Sequence, residues 1–169
     1  MKLRMLLVTV LALGLAACGF QLRGSANLGF KTLHIALPET SELRTVLERT
    51  IAAGSETRIV ANPKDAEAIL SITSDIPGKN ILSLSSAGRT REHQLVRTVR
   101  FRVRSNAGED LLPEGEIVLR RDLSFDDNQV LAKEAEEAVL WRDIQTDLVQ
   151  QLLRRLAAAR TAPSPQSGN

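Results

Sequence analysis

The sequence predicts an α+β fold: a two-layer sandwich in which a four-stranded, mostly antiparallel sheet carries two helices on one face. Three observations point there. Four segments alternate apolar and polar residues at the period of a strand. Two longer segments repeat apolar residues at i+3/i+4, and Gly-, Pro- and Asn-containing turns separate the pieces. The order is β-α-β-β-β-α, and two helices with one apolar face each cover one side of such a sheet.

Lys31 to Leu37 alternates, with Leu33, Ile35 and Leu37 on one side and Thr32 and His34 on the other, until Pro38 ends the strand. Thr40 and Ser41 are N-cap residues for a helix running to about Ala53. Leu43, Val46, Leu47 and Ile51 lie on its one apolar face, and Gly54 follows as terminator. Asn62-Pro63-Lys64-Asp65 is a loop. Ala68 to Ser86 reads as a strand through Leu70, Ile72, Leu82 and Leu84. It is interrupted by Pro77-Gly78, which points to a sheet edge or a bulge because proline has no N–H for a ladder. Ala87-Gly88 turns the chain into Leu95–Ser105, the clearest alternation. Leu95, Val99, Phe101 and Val103 face one way, and Thr98, Arg100, Arg102 and Arg104 the other, with Arg97 falling on the apolar side. After the Asn106-Ala107-Gly108 turn, Ile117 to Phe125 alternates again.

Asp126-Asp127-Asn128 caps a long helix over about Gln129 to Ala159. Trp141, Ile144, Leu148, Leu152 and Leu156 form its stripe, widened by Val149 and Leu153. At 1.5 Å per residue it is roughly 45 Å long, more than a small sheet needs, which leaves one end to project.

Composition narrows the function. Hydrophobic residues make up 43% and charged residues 25%, enough for one core and against wholesale disorder. A single cysteine excludes an internal disulfide framework and a multi-cysteine metal site. Aromatics total 3%, with no tyrosine, too few for a base-stacking surface. The net charge of +2 comes from Lys2 and Arg4. Both lie in a segment expected to be removed, so the mature chain is neutral and no nucleic-acid partner is expected.

Lys2 and Arg4 form a positive n-region and Met5–Leu15 an apolar h-region too short for a permanent bilayer span. Leu15-Ala16-Ala17-Cys18 then looks like a bacterial lipobox. Cleavage before Cys18 would place a diacylglycerol on its sulfur and an acyl chain on its amine. Two or three chains hold a protein firmly at a membrane. Gly19, rather than an aspartate, directs the anchor by analogy to the outer membrane, periplasmic side. The chain therefore divides into a signal peptide (1–17), a lipidated tether (18–30), one α+β domain (31–160) and a disordered Pro/Ser/Gly-rich tail (161–169). Beyond that lipid, no cofactor is expected.

No catalytic constellation is present in the sequence: no G-x-S-x-G elbow and no phosphate-cradling glycine loop. His34 and His93 stand singly and read as ordinary strand histidines. Glu134, Glu136 and Glu137 read as a solvated helix start, and Asp126-Asp127 as caps. An arginine stripe remains: Arg100, Arg102, Arg104 and Arg120. It forms either a solvated sheet face balanced by Glu116 and Asp122, or a surface for anionic groups, which arginine forks bind bidentately.

The lipobox followed by Cys18-Gly19-Phe20-Gln21-Leu22-Arg23-Gly24 resembles the C-G-[FW]-x-L-R segment of the LPS-assembly lipoprotein family, LptE. Glu92-His93-Gln94-Leu95 resembles the family too, as do Arg121 and Phe125 followed by Asn128 and Leu131-Ala132-Lys133. The resemblance runs to about residue 160. It implies a non-enzymatic lipoprotein that plugs an LptD-type β-barrel, helps that barrel assemble, and binds lipopolysaccharide during delivery to the cell surface. It further implies a lipopolysaccharide contact at Lys133 and another in the hairpin. There the family's basic position falls on Ser86, with Arg89 and Arg91 just beyond. The competing reading is an auxiliary lipoprotein of another envelope lipid-transport complex; an envelope hydrolase ranks last.

Overall fold

The computed structural model describes residues 28–126 and 128–159. Its elements are β1 (Thr32–Ala36), α1 (Glu42–Gly54), β2 (Arg58–Ile59), a 3-10 turn (Pro63–Asp65), β3 (Ala68–Leu84), β4 (Thr90–Ser105), β5 (Asp110–Ser124) and α2 (Val130–Ala159). They form one sheet in the order β2-β1-β3-β4-β5 with both helices on one face. The α+β sandwich, the crossover of β1 through α1 and the β3-β4-β5 meander stand as the sequence predicts. The sheet has five strands rather than four. The added β2 pairs only Arg58 and Ile59 with Thr32 and Leu33, in parallel. Two residues cannot display an alternation, so periodicity does not reveal such a strand.

β4 and β5 are longer than the alternation suggests, at 16 and 15 residues, whereas β3 runs for 17 residues and ends at Leu84, two short of the expected Ser86. β3 alone spans about 55 Å at roughly 3.3 Å per residue. Alternation marks the part of a strand with one face in the apolar core; farther out α2 meets the hairpins through polar side chains, and at the start of β5 a register shift opposite Phe101 to Arg104 breaks the period although Leu111 and Leu112 still touch the core. Pro77 sits opposite Arg97 within the unbroken β3, and the bulges lie elsewhere, between Ile72 and Ser74 and from Ile81 to Leu84. The β1 pairing stops at Ala36–Ser71, so the proline occupies an edge. The 85–88 and 105–108 turns each close with a glycine in the left-handed region, Gly88 at φ 73 and Gly108 at φ 91.

One core joins Leu28, Leu33 and Ile35 with Leu43, Leu47 and Ile51 of α1. From the meander it takes Leu70, Leu95, Val99, Phe101 and Ile117, and from α2 the run from Ile144 to Leu156. It reaches back to Leu28, fully buried, ahead of the 31–160 span read from the sequence. Phe101 lies opposite Gly115, where an added Cβ would come within 3.3 Å of its ring.

Ser41 caps α1, accepting from the Arg44 N–H, and Ser55 rather than Gly54 terminates it through its N–H to the Ile51 carbonyl. α2 begins at Val130. Asp126 takes the Asn128 N–H in the turn before the helix, so it caps that turn and leaves no acidic residue in the first helical turn. Helix α2 buries no apolar residue before Ile144. Its first half does not project into solvent, because the long hairpins run beneath it. Lys133 bonds Ser124 of β5 and Glu137 bonds Lys79 of β3.

Candidate functional site

The sheet has one open, polar face and one helix-covered face that carries the core. On β4, burying Leu95, Val99, Phe101 and Val103 under the helices turns Thr98, Arg100, Arg102 and Arg104 to the opposite, open face. Half of the stripe there is paired. Arg100 pairs with Glu116 at 3.1 Å and Arg104 with Asp110 at 2.8 Å, both across the β4–β5 ladder and both well exposed. Asp122 takes the Gln94 amide at 2.9 Å instead of an arginine. Arg120 is exposed, while Arg102 is half-buried with its Nε unpartnered. Exposed pairs of this kind contribute little to stability, and the face is a hydrated surface of mixed charge.

The resemblance-derived residues are brought to one end of the molecule. The 85–91 turn lies at the far end of β3 from Ala68, whereas the chain enters the sheet beside Ala68 through Leu33. The Arg91 carbonyl accepts the Phe125 N–H at 2.7 Å, and Lys133 Nζ donates to Ser124 at 2.8 Å. Arg91 and Lys133, 42 positions apart in sequence, thus flank one dipeptide. A depression of about 360 Å³ lined by Arg89, Arg91, Phe125, Asp126 and Asn128 lies beside them. Ser86 is exposed in the turn. Lys133 is not a loose surface charge. Its side chain is 16% exposed and also bonds Glu136 at 2.8 Å, so the ammonium is held in place. His93 stacks edge-on against Phe125 with centroids 5.4 Å apart, its Nδ1 buried and unpartnered. His34 meets the Val60 carbonyl through Nδ1 at 3.0 Å.

The helix-covered face holds a cluster that sequence reasoning did not assemble. Arg97, on the apolar side of β4, grips Asp75 of β3 through two bonds of 2.8 and 2.7 Å and donates to the Gln145 oxygen of α2. Gln145 is 9% exposed. Arginine has only donors, so the amide oxygen must face it, and the Gln145 Nε2 is left with no acceptor. Two irregularities mark this cluster in the sequence: an arginine in an apolar alternation, and a glutamine inside the α2 stripe. Nearby, Lys79 Nζ lies 2.6 Å from Glu137, whose carboxyl is held below the usual carboxylate range by that hydrogen bond, against the opposing effect of burial. Farther along, Arg121 pairs with Asp147.

Among the described residues no three His, Cys, Asp or Glu side chains group as a metal site, and no helix is long and apolar enough to cross a membrane. Cys18, the 1–17 leader, residues 18–27, Asp127 and residues 160–169 lie outside the described residues.

Known proteins share this architecture and sequence. The chain is 34% identical over 168 residues, 95% of its length and 78% of the relative, to the LPS-assembly lipoprotein LptE of Yersinia enterocolitica. It is 30% identical over 83% of its length to the protein of that name from Pectobacterium atrosepticum. The solution structure of lipoprotein B from Nitrosomonas europaea superposes with a TM-score of 0.76 at 40% identity, covering 85% of this chain and 94% of that one. The rare lipoprotein B of Shewanella oneidensis, 24% identical with a TM-score of 0.67, shares the fold. The family described as lipopolysaccharide-assembly, LptE, matches residues 30–156, so the chain belongs to the LptE family of lipopolysaccharide-assembly lipoproteins.

Proposed function

We propose that this lipoprotein is a non-enzymatic plug and assembly partner of an LptD-type β-barrel, held at the periplasmic side of the outer membrane by lipid on Cys18. The observation that carries the reading is the open sheet face. Acidic and basic side chains share it, and two of its four arginines are paired across the ladder, Arg100 with Glu116 and Arg104 with Asp110. A surface that is polar, hydrated and of mixed charge suits the polar interior of an outer-membrane barrel. Isolation of the full chain from outer membranes, with mass spectrometry of its partner and of its own N-terminus, tests this. A co-purifying barrel and an acylated Cys18 are expected. Recovery of the chain alone, with barrel assembly unaffected by its depletion, overturns the reading.

The end bearing Arg89, Arg91 and Lys133 is the lipopolysaccharide contact within this proposal. Guanidinium and ammonium groups gathered beside Phe125 match the phosphates and carboxylates of that glycolipid. Lys133→Glu in the full chain is expected to weaken lipopolysaccharide binding in low salt while leaving the fold intact. Unchanged affinity removes Lys133 from the site.

A further inference from the structure

We propose that the free edge of β3 between Ser74 and Ile81 is a strand-addition site that takes an extended segment of the partner protein. It rests on the plug reading and specifies how the two chains join. β1 leaves β3 after Ser71, and among the described residues no other strand pairs with that side of β3 onward. The two bulges bracket a regular run from Ser74 to Ile81, paired residue for residue with β4 from Arg100 to His93. Within it, Asp75, Ile76, Pro77 and Lys79 to Ile81 are exposed.

Pro77 fixes which backbone groups point outward. It has no N–H to give Arg97, so their pairing is held by the flanking rungs Ile76–Thr98 and Gly78–Val96. Alternate residues of a strand direct their peptide groups to opposite sides. The N–H groups of Asp75, Lys79 and Ile81, and the carbonyls of these residues and of Pro77, therefore face the open edge. Such a row is a template for another strand.

The two flanks of the edge supply side-chain selectivity, as in other strand-addition sites. On the helix side, Glu42, Asp75, Pro77, Arg97, Trp141, Arg142 and Gln145 line a notch of about 350 Å³. Arg97 and Asp75 satisfy one another there, and the unmet demand is the Gln145 Nε2 donor. A residue pointing into this notch is suited by an uncharged acceptor, an amide or a hydroxyl. On the open side Ile76 is 61% exposed at the end of a row continuing through Thr98 and Val118. An apolar or β-branched neighbour extends that row. The occupant is thus an extended segment alternating apolar with uncharged hydrogen-bonding side chains. A closed barrel wall has no free strand edge to offer, so the segment belongs to a loop or terminus of the partner.

Two other occupants fit less well. A second copy paired antiparallel through the same run brings its own Pro77, and the shared ladder loses two donors instead of one. The chain's own 160–169 segment carries Pro163 and Pro165.

Hydrogen exchange resolved to single amides, on the full lipidated chain alone and in its co-purified barrel complex, tests the proposal. The Asp75, Lys79 and Ile81 amides are expected to exchange at least tenfold more slowly in the complex. The Ile76 amide, already bonded to β4, stays unchanged. Lys79→Pro, which removes an outward donor but none of the β4 ladder, is expected to lower barrel recovery about tenfold relative to Lys79→Ala. Both variants lose the Glu137 ion pair equally. A complex whose outward amides exchange as in the free chain overturns strand addition and leaves the plug reading standing. Protection already present in the chain alone also overturns it, assigning the edge to a second copy if it grows with concentration and to the chain itself if it does not. Absence of any barrel overturns both.

Discussion

Leu148 and Leu131 lie on the same helix and differ only in where the tertiary structure puts them. Leu148 is fully buried between α2 and the sheet, whereas Leu131 is 82% exposed in the first turn of α2. Leu→Ala deletes the same atoms from each. At Leu148 the loss combines transfer free energy with an unfilled cavity, about 3–5 kcal/mol. The described domain has an unfolding entropy of about 0.27 kcal/mol/K at roughly 2.1 cal/mol/K per residue, so the melting temperature falls by about 11–18 °C. At Leu131 no cavity forms and the change stays within about 0.5 kcal/mol, or about 2 °C. Thermal unfolding of the lipid-free chain followed by circular dichroism measures both. Comparable shifts for the two variants refute the division of α2 into a core half and a half that rests on the wet end of the hairpins. A large shift for Leu131→Ala alone would place the core at the wrong end.

Other consequences are equally open to measurement. Glu137→Gln should destabilise the domain at neutral pH but not in acid. The depressed carboxyl contributes stability that is present above the usual glutamate range and lost as pH falls through its lowered value, so the wild-type and variant stability curves converge there. A gap that persists at pH 2, or none at neutrality, contradicts the Lys79 contact as its cause. Arg97→Ala strips Gln145 of its remaining partner and leaves Asp75 without its bidentate cation, a loss of about 1–3 kcal/mol by denaturant titration. Arg100→Ala, whose partner is exposed across the ladder, should cost under about 1 kcal/mol in the same assay.

The alternation of Leu95, Val99, Phe101 and Val103, the α1 stripe and the Ile144–Leu156 stripe were all legible in the sequence because one-sided burial imposes a period on side chains. The missing N–H of Pro77, a local property of one residue, narrowed that position to an edge or a bulge, and the end of the β1 pairing at Ser71 decided for the edge. Beyond the core that signal fades. The outer end of the β4–β5 ladder meets α2 through polar side chains and the start of β5 is shifted in register, so no apolar period records how far that ladder runs. β2 is too short to show a period at all. Only the tertiary structure decided that Arg91 and Lys133 flank Ser124-Phe125, that Glu116 and Asp110 rather than Asp122 balance the stripe, and that Arg97, Asp75 and Gln145 meet beneath α2. Each of these depends on strand register and on where a 30-residue helix crosses the sheet. The turns and the apolar pattern start the register of each hairpin, and the bulges at Thr73, near Leu82 and opposite Phe101 to Arg104 then shift it by amounts that the pattern does not display.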